Sequence, residues 1–296
     1  MIVSEETGGL GNRIKSWVSA MRLDAEAGVV WPRTPNMPAS FAALFDNGGE
    51  LAEVPSGATV YGSWRLAVLP EDEAILPVGF ARVGAGPHPL IRGCGKFWWR
   101  LRGCPDDTYR YMLFPKQHSR RSTRADGRHI DLEYGRIPHE ILKAYNSVFN
   151  RIRVAGSILD RVESWADAHL PDNAVGIQVR TWRDDPRRQR KYHRPAVRRL
   201  EHMIEGLADD RSLIVVSDSD DVAPWIAGLA GKRRAVLEFP RTTRRADSWA
   251  GPEGIVEDLI DMLLLARTRT LFASYLSTFS ETAWWLGGAQ AEVRVF

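Results

Sequence analysis

Apolar and polar positions along this chain fall into two periods. At the amino terminus Met1-Ile2-Val3 is a short apolar run, and beyond it Ile14, Trp17, Val18 and Met21 recur at the spacing of one helix face. Ala174-Val175-Gly176-Ile177-Gln178-Val179 and Ser212-Leu213-Ile214-Val215-Val216-Ser217 are mostly apolar runs of strand length without polar alternation. That pattern predicts strands covered on both faces, as in a parallel sheet. Leu142, Tyr145, Val148, Phe149 and Ile152 predict a helical segment from Pro138 to about Leu170. From Pro252 to Gly288 the chain reads as helix, turn, the strand Thr270–Ala273, a hydroxyl-rich turn and a second helix, Glu281–Leu286. Ile255, Leu259, Met262, Leu263 and Ala266 form the apolar side of the first of these helices, with Glu257, Asp258 and Asp261 among its polar positions.

Strands that alternate with helices predict an α/β fold with parallel sheets. A length of 296 residues, at ~100–200 per domain, predicts two domains, 1–150 and 151–296, the second a parallel sheet with helices on both faces. Pro32–Ala39 and Val54–Gly57 are Pro/Gly-rich connections, and Arg92–Pro105 and Lys116–Asp131 read as long loops. With 44% hydrophobic and 26% charged residues the composition is that of a globular protein, which excludes the disordered and fibrous classes. No apolar run approaches the ~18 residues of a membrane span. The start lacks the basic and apolar regions of a signal peptide, so the expected location is cytoplasmic. Cys94 and Cys104 are then expected to stay reduced, and no Cys/His set has the spacing of a metal site.

The candidate chemistry sits where strands end. Ser277, Thr278, Phe279 and Ser280 open the last helix, and a Ser/Thr-rich strand-to-helix turn gathers N–H groups and hydroxyls that stabilise an anion. The same residues would also serve as a plain helix cap. Gly8-Gly9-Leu10-Gly11-Asn12-Arg13 follows the first strand and precedes a helix, the layout of a loop for a nucleotide or sugar phosphate. Glycine there permits positive φ and close approach of a ligand to the backbone. Gln178-Val179-Arg180 delivers an arginine to a strand's carboxyl end, and its two-pronged guanidinium suits a diphosphate. Asp218-Ser219-Asp220-Asp221 closes the next strand, where carboxylates can meet a base or ribose, bind a metal or cap a helix.

Net charge is +3, nearly balanced, but cations are unevenly spread. Arg187, Arg188, Arg190, Lys191, His193, Arg194, Arg198 and Arg199 crowd one stretch, and Arg241, Arg244 and Arg245 form a second cluster. The first reads as a solvated helix face or mobile loop, or as a basic rim on the substrate cleft that steers an anionic donor or acidic acceptor. A nucleic-acid acceptor would fit the same charge, but no stacking pattern or recognition motif accompanies it. Trp64, Trp98 and Trp99 lie on the expected acceptor side, and in the adjacent pairs Trp98-Trp99 and Trp284-Trp285 only one member is expected to face a core fully.

Three segments in order, GGLGNRIKSW, IQVRTWRDD and VVSDSDD followed by EDLIDMLLLARTRTLFASYLSTFSETAWWLGG, resemble fucosyltransferases of the α1,2/α1,6/protein-O type, a group that includes the nodulation fucosyltransferase. The resemblance covers both ends and the C-terminal half. It implies two Rossmann-like domains facing across a cleft, in the arrangement called GT-B. In that family an HxRR(T/G)D segment binds the GDP diphosphate, and its first arginine matches Arg180. The histidine falls on Gln178, the second arginine on Thr181, and the acid is displaced to Asp184 or Asp185. By the same resemblance Asp218 would contact guanine, the turn Ser277–Ser280 would hold the β-phosphate, and the loop of Gly9, Gly11, Asn12 and Arg13 would face the sugar or diphosphate.

The expected function is transfer of a sugar, fucose from GDP-fucose, to an acceptor hydroxyl, without a metal or any cofactor beyond the donor and, by the resemblance, with inversion. Arg180 and the Ser277–Ser280 amides would stabilise the leaving diphosphate. Asp184 and Asp185 are candidate bases, with Glu5 and Glu6 as alternatives beside the glycine loop. The acceptor, whether glycan, peptide or another hydroxyl, is not written in the sequence. Two other readings stay open: a transferase of another nucleotide sugar, including one that uses a metal through Asp218-Ser219-Asp220 or takes a nucleic-acid acceptor, and a non-catalytic glycan- or nucleotide-binding module.

Overall fold

A computed structural model of the chain describes residues 1–61, 81–82, 139–274 and 277–296. Trp64, Trp98, Trp99, both cysteines and the two long loops read from the sequence lie outside the described residues. The chain divides into two compact units, Met1–Phe41 with Asn47–Arg153, and Ala42–Asp46 with Val154–Phe296. The short excursion Ala42–Asp46 is fastened to the second unit by a bridge between Phe45 and Val154 and by a bond from Ala155 N to Leu44 O at 3.0 Å.

The first unit begins with β1 (Ile2–Glu5), α1 (Leu10–Leu23) and β2 (Gly28–Val30), continues with β3 (Glu50–Leu51), β4 (Thr59–Tyr61) and β5 (Ala81–Arg82), and reaches α2 (His139–Phe149). Its sheet has the order β3-β2-β1-β4-β5, parallel except where β5 runs against β4. Val3, Val29 and Val60 are buried in it. Ile14, Trp17, Val18 and Met21 of α1 are buried as their spacing predicts, and Trp17 meets Phe41 edge-on at 5.0 Å.

The segment Pro138 to Leu170 is not one helix. It breaks after α2, and α3 (Gly156–His169) begins in the second unit. The side chain of Asn47 explains the break: it donates to Arg151 O at 2.8 Å and accepts from Arg153 N at 2.6 Å, taking backbone groups that a continuous helix would pair internally.

The second unit continues with β6 (Val175–Val179), a helical turn at Pro186–Arg188, a π-helical turn at Gln189–His193, and α4 (Arg194–Glu205). Then come β7 (Leu213–Ser217), α5 (Val222–Ala230), β8 (Val236–Leu237), α6 (Pro252–Ala266), β9 (Thr270–Ala273), α7 (Thr278–Leu286) and β10 (Glu292–Val295). The sheet is wholly parallel in the order β10-β9-β6-β7-β8. Every residue of β6 and β7 is buried, which is why both read as unbroken apolar runs. Ile177, Leu200, Leu213, Val215, Ile226 and Phe272 form the centre of the core, each such side chain contributing about 1.5–3 kcal/mol on burial.

In both sheets the chain lays three strands to one side, then returns to the other side of the first strand. The direction of winding therefore reverses between β1 and β4 in the first sheet and between β6 and β9 in the second. Such reversals open a crevice at the carboxyl ends of the strands, where α/β sheets bind ligands. The loops after β1, β6 and β9 lie at these places. Among the described residues no helix is long and apolar enough to cross a membrane.

Candidate functional site

Register builds the site. Val179 pairs with Ser217 and Gln178 with Ala273, so the next residues, Arg180, Asp218 and Ser274, leave three neighbouring strands side by side. Arg180 N donates to Ser274 Oγ at 2.7 Å, and Ser274 Oγ donates to Gln178 O at 3.0 Å. Asp218 divides its carboxylate: Oδ1 accepts from Thr181 N at 2.7 Å, and Oδ2 lies 3.2 Å from Arg180 NH1. The strand end is thus locked while the Arg180 side chain stays 32% exposed, enough to meet a ligand. Asp218, expected at a guanine, spends both oxygens on the Arg180 loop.

Beyond Arg180 the chain turns through Trp182, whose φ of 56° is left-handed. A bulky residue pays about 1–2 kcal/mol there, so the surrounding contacts must fix it. Those contacts are the guanidiniums of Arg180 and Arg188, over the Trp182 ring at 5.2 and 4.9 Å, and Tyr192 at 6.1 Å. The two acids that follow differ. Asp185 caps the turn Pro186–Arg188, its Oδ1 accepting from Arg187 N and Arg188 N at 3.1 Å each, so its carboxylate is a structural cap. Asp184 is 71% exposed and lies 3.6 Å from Arg183 Nε. His193, at the end of the π-helical turn, has its pKa lowered by burial, against the opposing pull of the Asp218 charge. It is a titratable neighbour of the site that the sequence reading placed only in a basic run.

At the start of α7, Ser277 is the N-cap and its side chain accepts from Ser280 N at 3.3 Å. Ser280, proposed from sequence as a phosphate ligand, is fully buried and its hydroxyl donates to Gln178 Oε1 at 2.7 Å. That hydroxyl ties the helix to the strand. Thr278 O accepts from Thr282 Oγ1 at 2.8 Å, and Phe279 is half-buried. What this turn can offer an anion is its first-turn amides, at Thr278 and Phe279. Trp284 and Trp285 are both buried, with rings 5.0 Å apart, so neither faces solvent as adjacency on a helix predicts; α7 is enclosed on all sides.

The carboxylates of Asp218 and Asp220 serve separate partners. Asp220 Oδ1 accepts from Arg245 N at 2.8 Å and its Oδ2 from Ala246 N at 3.4 Å. Burial pushes its pKa up, but these two amides with Arg244 and Arg245 outweigh that and hold it low. The two carboxylates of the pattern Asp218-Ser219-Asp220 are thus held by different segments, the Arg180 loop and the Arg245 turn. Arg183 NH2 also reaches this segment, donating to Ala246 O.

In the first unit, α1 begins at Leu10, so Gly11 is a buried helical residue rather than part of a loop. Gly9 is the N-cap at φ −68°, a conformation any residue adopts, so positive φ does not explain these glycines. At Gly8 a Cβ would come within 2.6 Å of Asn12 Nδ2, the end of a side chain that can shift to make room. Arg13 is buried and turns inward. Its Nε donates to Gly8 O at 2.8 Å, NH1 to Pro32 O at 2.7 Å and NH2 to Thr34 Oγ1 at 3.2 Å, with the guanidinium over Trp31 at 5.1 Å. Burial lowers its pKa to about 10, with Glu6 opposing. Arg13 braces the loop instead of presenting its charge to a ligand.

In the second arginine cluster Arg241 and Arg245 are internal, while Arg244 is 74% exposed beside Asp220. Arg241 NH1 lies 2.7 Å from Asp261 Oδ2 and 2.8 Å from Asp258 Oδ1, and Arg245 NH1 is 2.6 Å from Asp261 Oδ2. Glu257 accepts from Thr242 N, Thr242 Oγ1 and Thr243 N at 2.6, 2.8 and 3.0 Å. Glu257 and Asp261, read as polar positions of α6, are buried, and Arg241 and Arg245 are their partners.

No family profile matches the sequence, and no curated protein matches it. Solved structures do. NodZ α-1,6-fucosyltransferase soaked with GDP-fucose is 20% identical over 96% of this chain and 92% of that one, with a TM-score of 0.49. POFUT1 in complex with GDP is 13% identical over 100% and 97%, with a TM-score of 0.47. FUT1 from Arabidopsis thaliana in complex with GDP is 16% identical over 99% of this chain and 69% of that chain, with a TM-score of 0.46.

Proposed function

We propose that the chain is a glycosyltransferase that moves fucose from GDP-fucose to an acceptor hydroxyl, without a metal and with inversion at the anomeric carbon. The observation that carries this reading is the meeting of Arg180, Asp218 and Ser274 at the reversal of winding in the second, Rossmann-like sheet. A strand-end arginine with its backbone held by a serine, its NH1 beside an aspartate and 32% of its side chain exposed suits a diphosphate. Arg180 and the first-turn amides of α7 would stabilise the charge that develops on the leaving diphosphate. Of the two acids after the arginine strand, Asp184 is the more exposed and caps no helix, and it would take the acceptor's proton. The separate engagement of Asp218 and Asp220 supports chemistry without a metal bridge.

Thermal melting with GDP, UDP, CMP and dTDP and their sugars tests the donor. A ligand that binds only the folded state raises the melting temperature according to its concentration over Kd. A rise with GDP compounds, with slow release of fucose from GDP-fucose, is the expected result. A rise confined to UDP compounds would overturn the fucose assignment.

A further inference from the structure

We propose that Arg188 is a second phosphate-binding arginine, stacked on Trp182 so that it works with Arg180 on the two phosphoryl groups of a nucleoside diphosphate. This rests on the donor-site reading above and extends it to a residue from the basic run. Both guanidiniums lie over the same indole, at 5.2 and 4.9 Å from the ring. Stacking engages the face of a guanidinium and leaves the N–H fork along its edge available to an anion. Tyr192 packs against the same indole, with ring centroids 6.1 Å apart. Tyr192 comes from the π-helical turn Gln189–His193, a distortion that recurs at functional sites.

Charge balance calls for the second cation. Asp218 Oδ2 already lies 3.2 Å from Arg180, so that pair alone has little net attraction for a dianionic group. Arg188 is 57% exposed and its partner Asp185 43% exposed, and a pair so open to water exchanges readily for a phosphate. Arg187 and Arg190, exposed on the same stretch, add to the field. Thr181, next to Arg180, buries its Oγ1 with no hydrogen-bond partner. Buried polar atoms are nearly always paired, so an orphan at this strand end marks where a ligand or water completes the set.

Titration calorimetry of the full chain with inorganic pyrophosphate and with GDP, at two salt concentrations, tests the proposal. Losing a hydrogen bond to a charged group should make Arg188→Ala bind both more than about tenfold more weakly. The salt dependence of binding should shrink, and Arg188→Lys should fall between the two. A role confined to the surface pair with Asp185 would leave affinity and salt dependence alone. Circular dichroism on Arg188→Ala verifies folding, which the exposure of this side chain favours. Wild-type binding of pyrophosphate with unchanged affinity in Arg188→Ala would overturn this inference alone. A wild-type chain that binds neither pyrophosphate nor GDP would overturn the donor-site reading with it.

Discussion

The hydroxyl of Ser280 donates to the side-chain oxygen of Gln178 across 2.7 Å, and both side chains are buried. One residue opens α7 and the other lies in β6, so this bond fixes the helix start against the strand that carries Arg180. Ser280→Ala would strand the Gln178 oxygen in the core. Stability should fall by about 1–3 kcal/mol with nucleotide affinity little changed. Adding Gln178→Met, which removes the orphaned group, should recover part of the loss. Melting curves of both variants, with and without GDP, check this; a stable Ser280→Ala protein with lost GDP binding would put the hydroxyl at the ligand instead.

Arg180→Lys keeps the charge but loses the fork. Transfer should slow by about 10²–10³-fold in a folded protein, the cost typical of one missing contact to developing charge. Steady-state rates together with a melting curve measure it. Wild-type turnover would make Arg180 a partner of Asp218 and nothing more.

Asp218→Asn keeps an acceptor for Thr181 N but removes the negative charge beside His193 and Arg180. Burial already lowers the His193 pKa and Asp218 opposes it, so the substitution should lower it further. Imidazole chemical shifts followed across pH report the change. An unmoved His193 would separate the two residues electrostatically.

Arg241 lies among Glu257, Asp258 and Asp261 with 5% of its side chain exposed. Arg241→Met would remove the guanidinium these acids share, and breaking a buried pair typically costs about 3–5 kcal/mol. Chemical denaturation gives the number directly. A loss below about 1 kcal/mol would mean that Arg245 alone can hold the acids, as at an exposed pair.

Asp258 makes the same network pH-dependent. Burial pushes its pKa up to about 6, against the pull of Arg241, although a fifth of the side chain still meets solvent. A raised folded pKa contributes stability below the unfolded value near 3.9, and that contribution fades as pH rises through about 6. Asp258→Asn cannot ionise, so its stability relative to the parent should grow between pH 4 and pH 7. A difference that is flat across this range, in melts at matched salt, would count against the shift.

Local pattern was enough for much of the fold. The unbroken apolar runs of β6 and β7 and the spacing of Ile14, Trp17 and Val18 already required parallel strands and an amphipathic helix. Burial of one face dictates those periods within a few residues. The strand-end arginine and aspartate were legible for the same reason: a charged residue that closes an apolar run must leave the sheet with it.

Partners of polar groups were not legible, because they are set by register and packing across long stretches of chain. Ser280 and Gln178 are separated by 102 residues, so a hydroxyl in a turn looked available to phosphate when it faces the core. Arg241 and Arg245 read only as a second cluster of cations until α6 brought Glu257 and Asp261 against them. Arg13 looked like a ligand contact until Pro32 and Thr34 folded over it. Sequence determined which segments become strands and helices and which residues end them, since those follow from local periodicity. Only tertiary structure decided whether each polar side chain meets the protein or a ligand, since a hydrogen bond takes whichever partner the packing brings within about 3 Å.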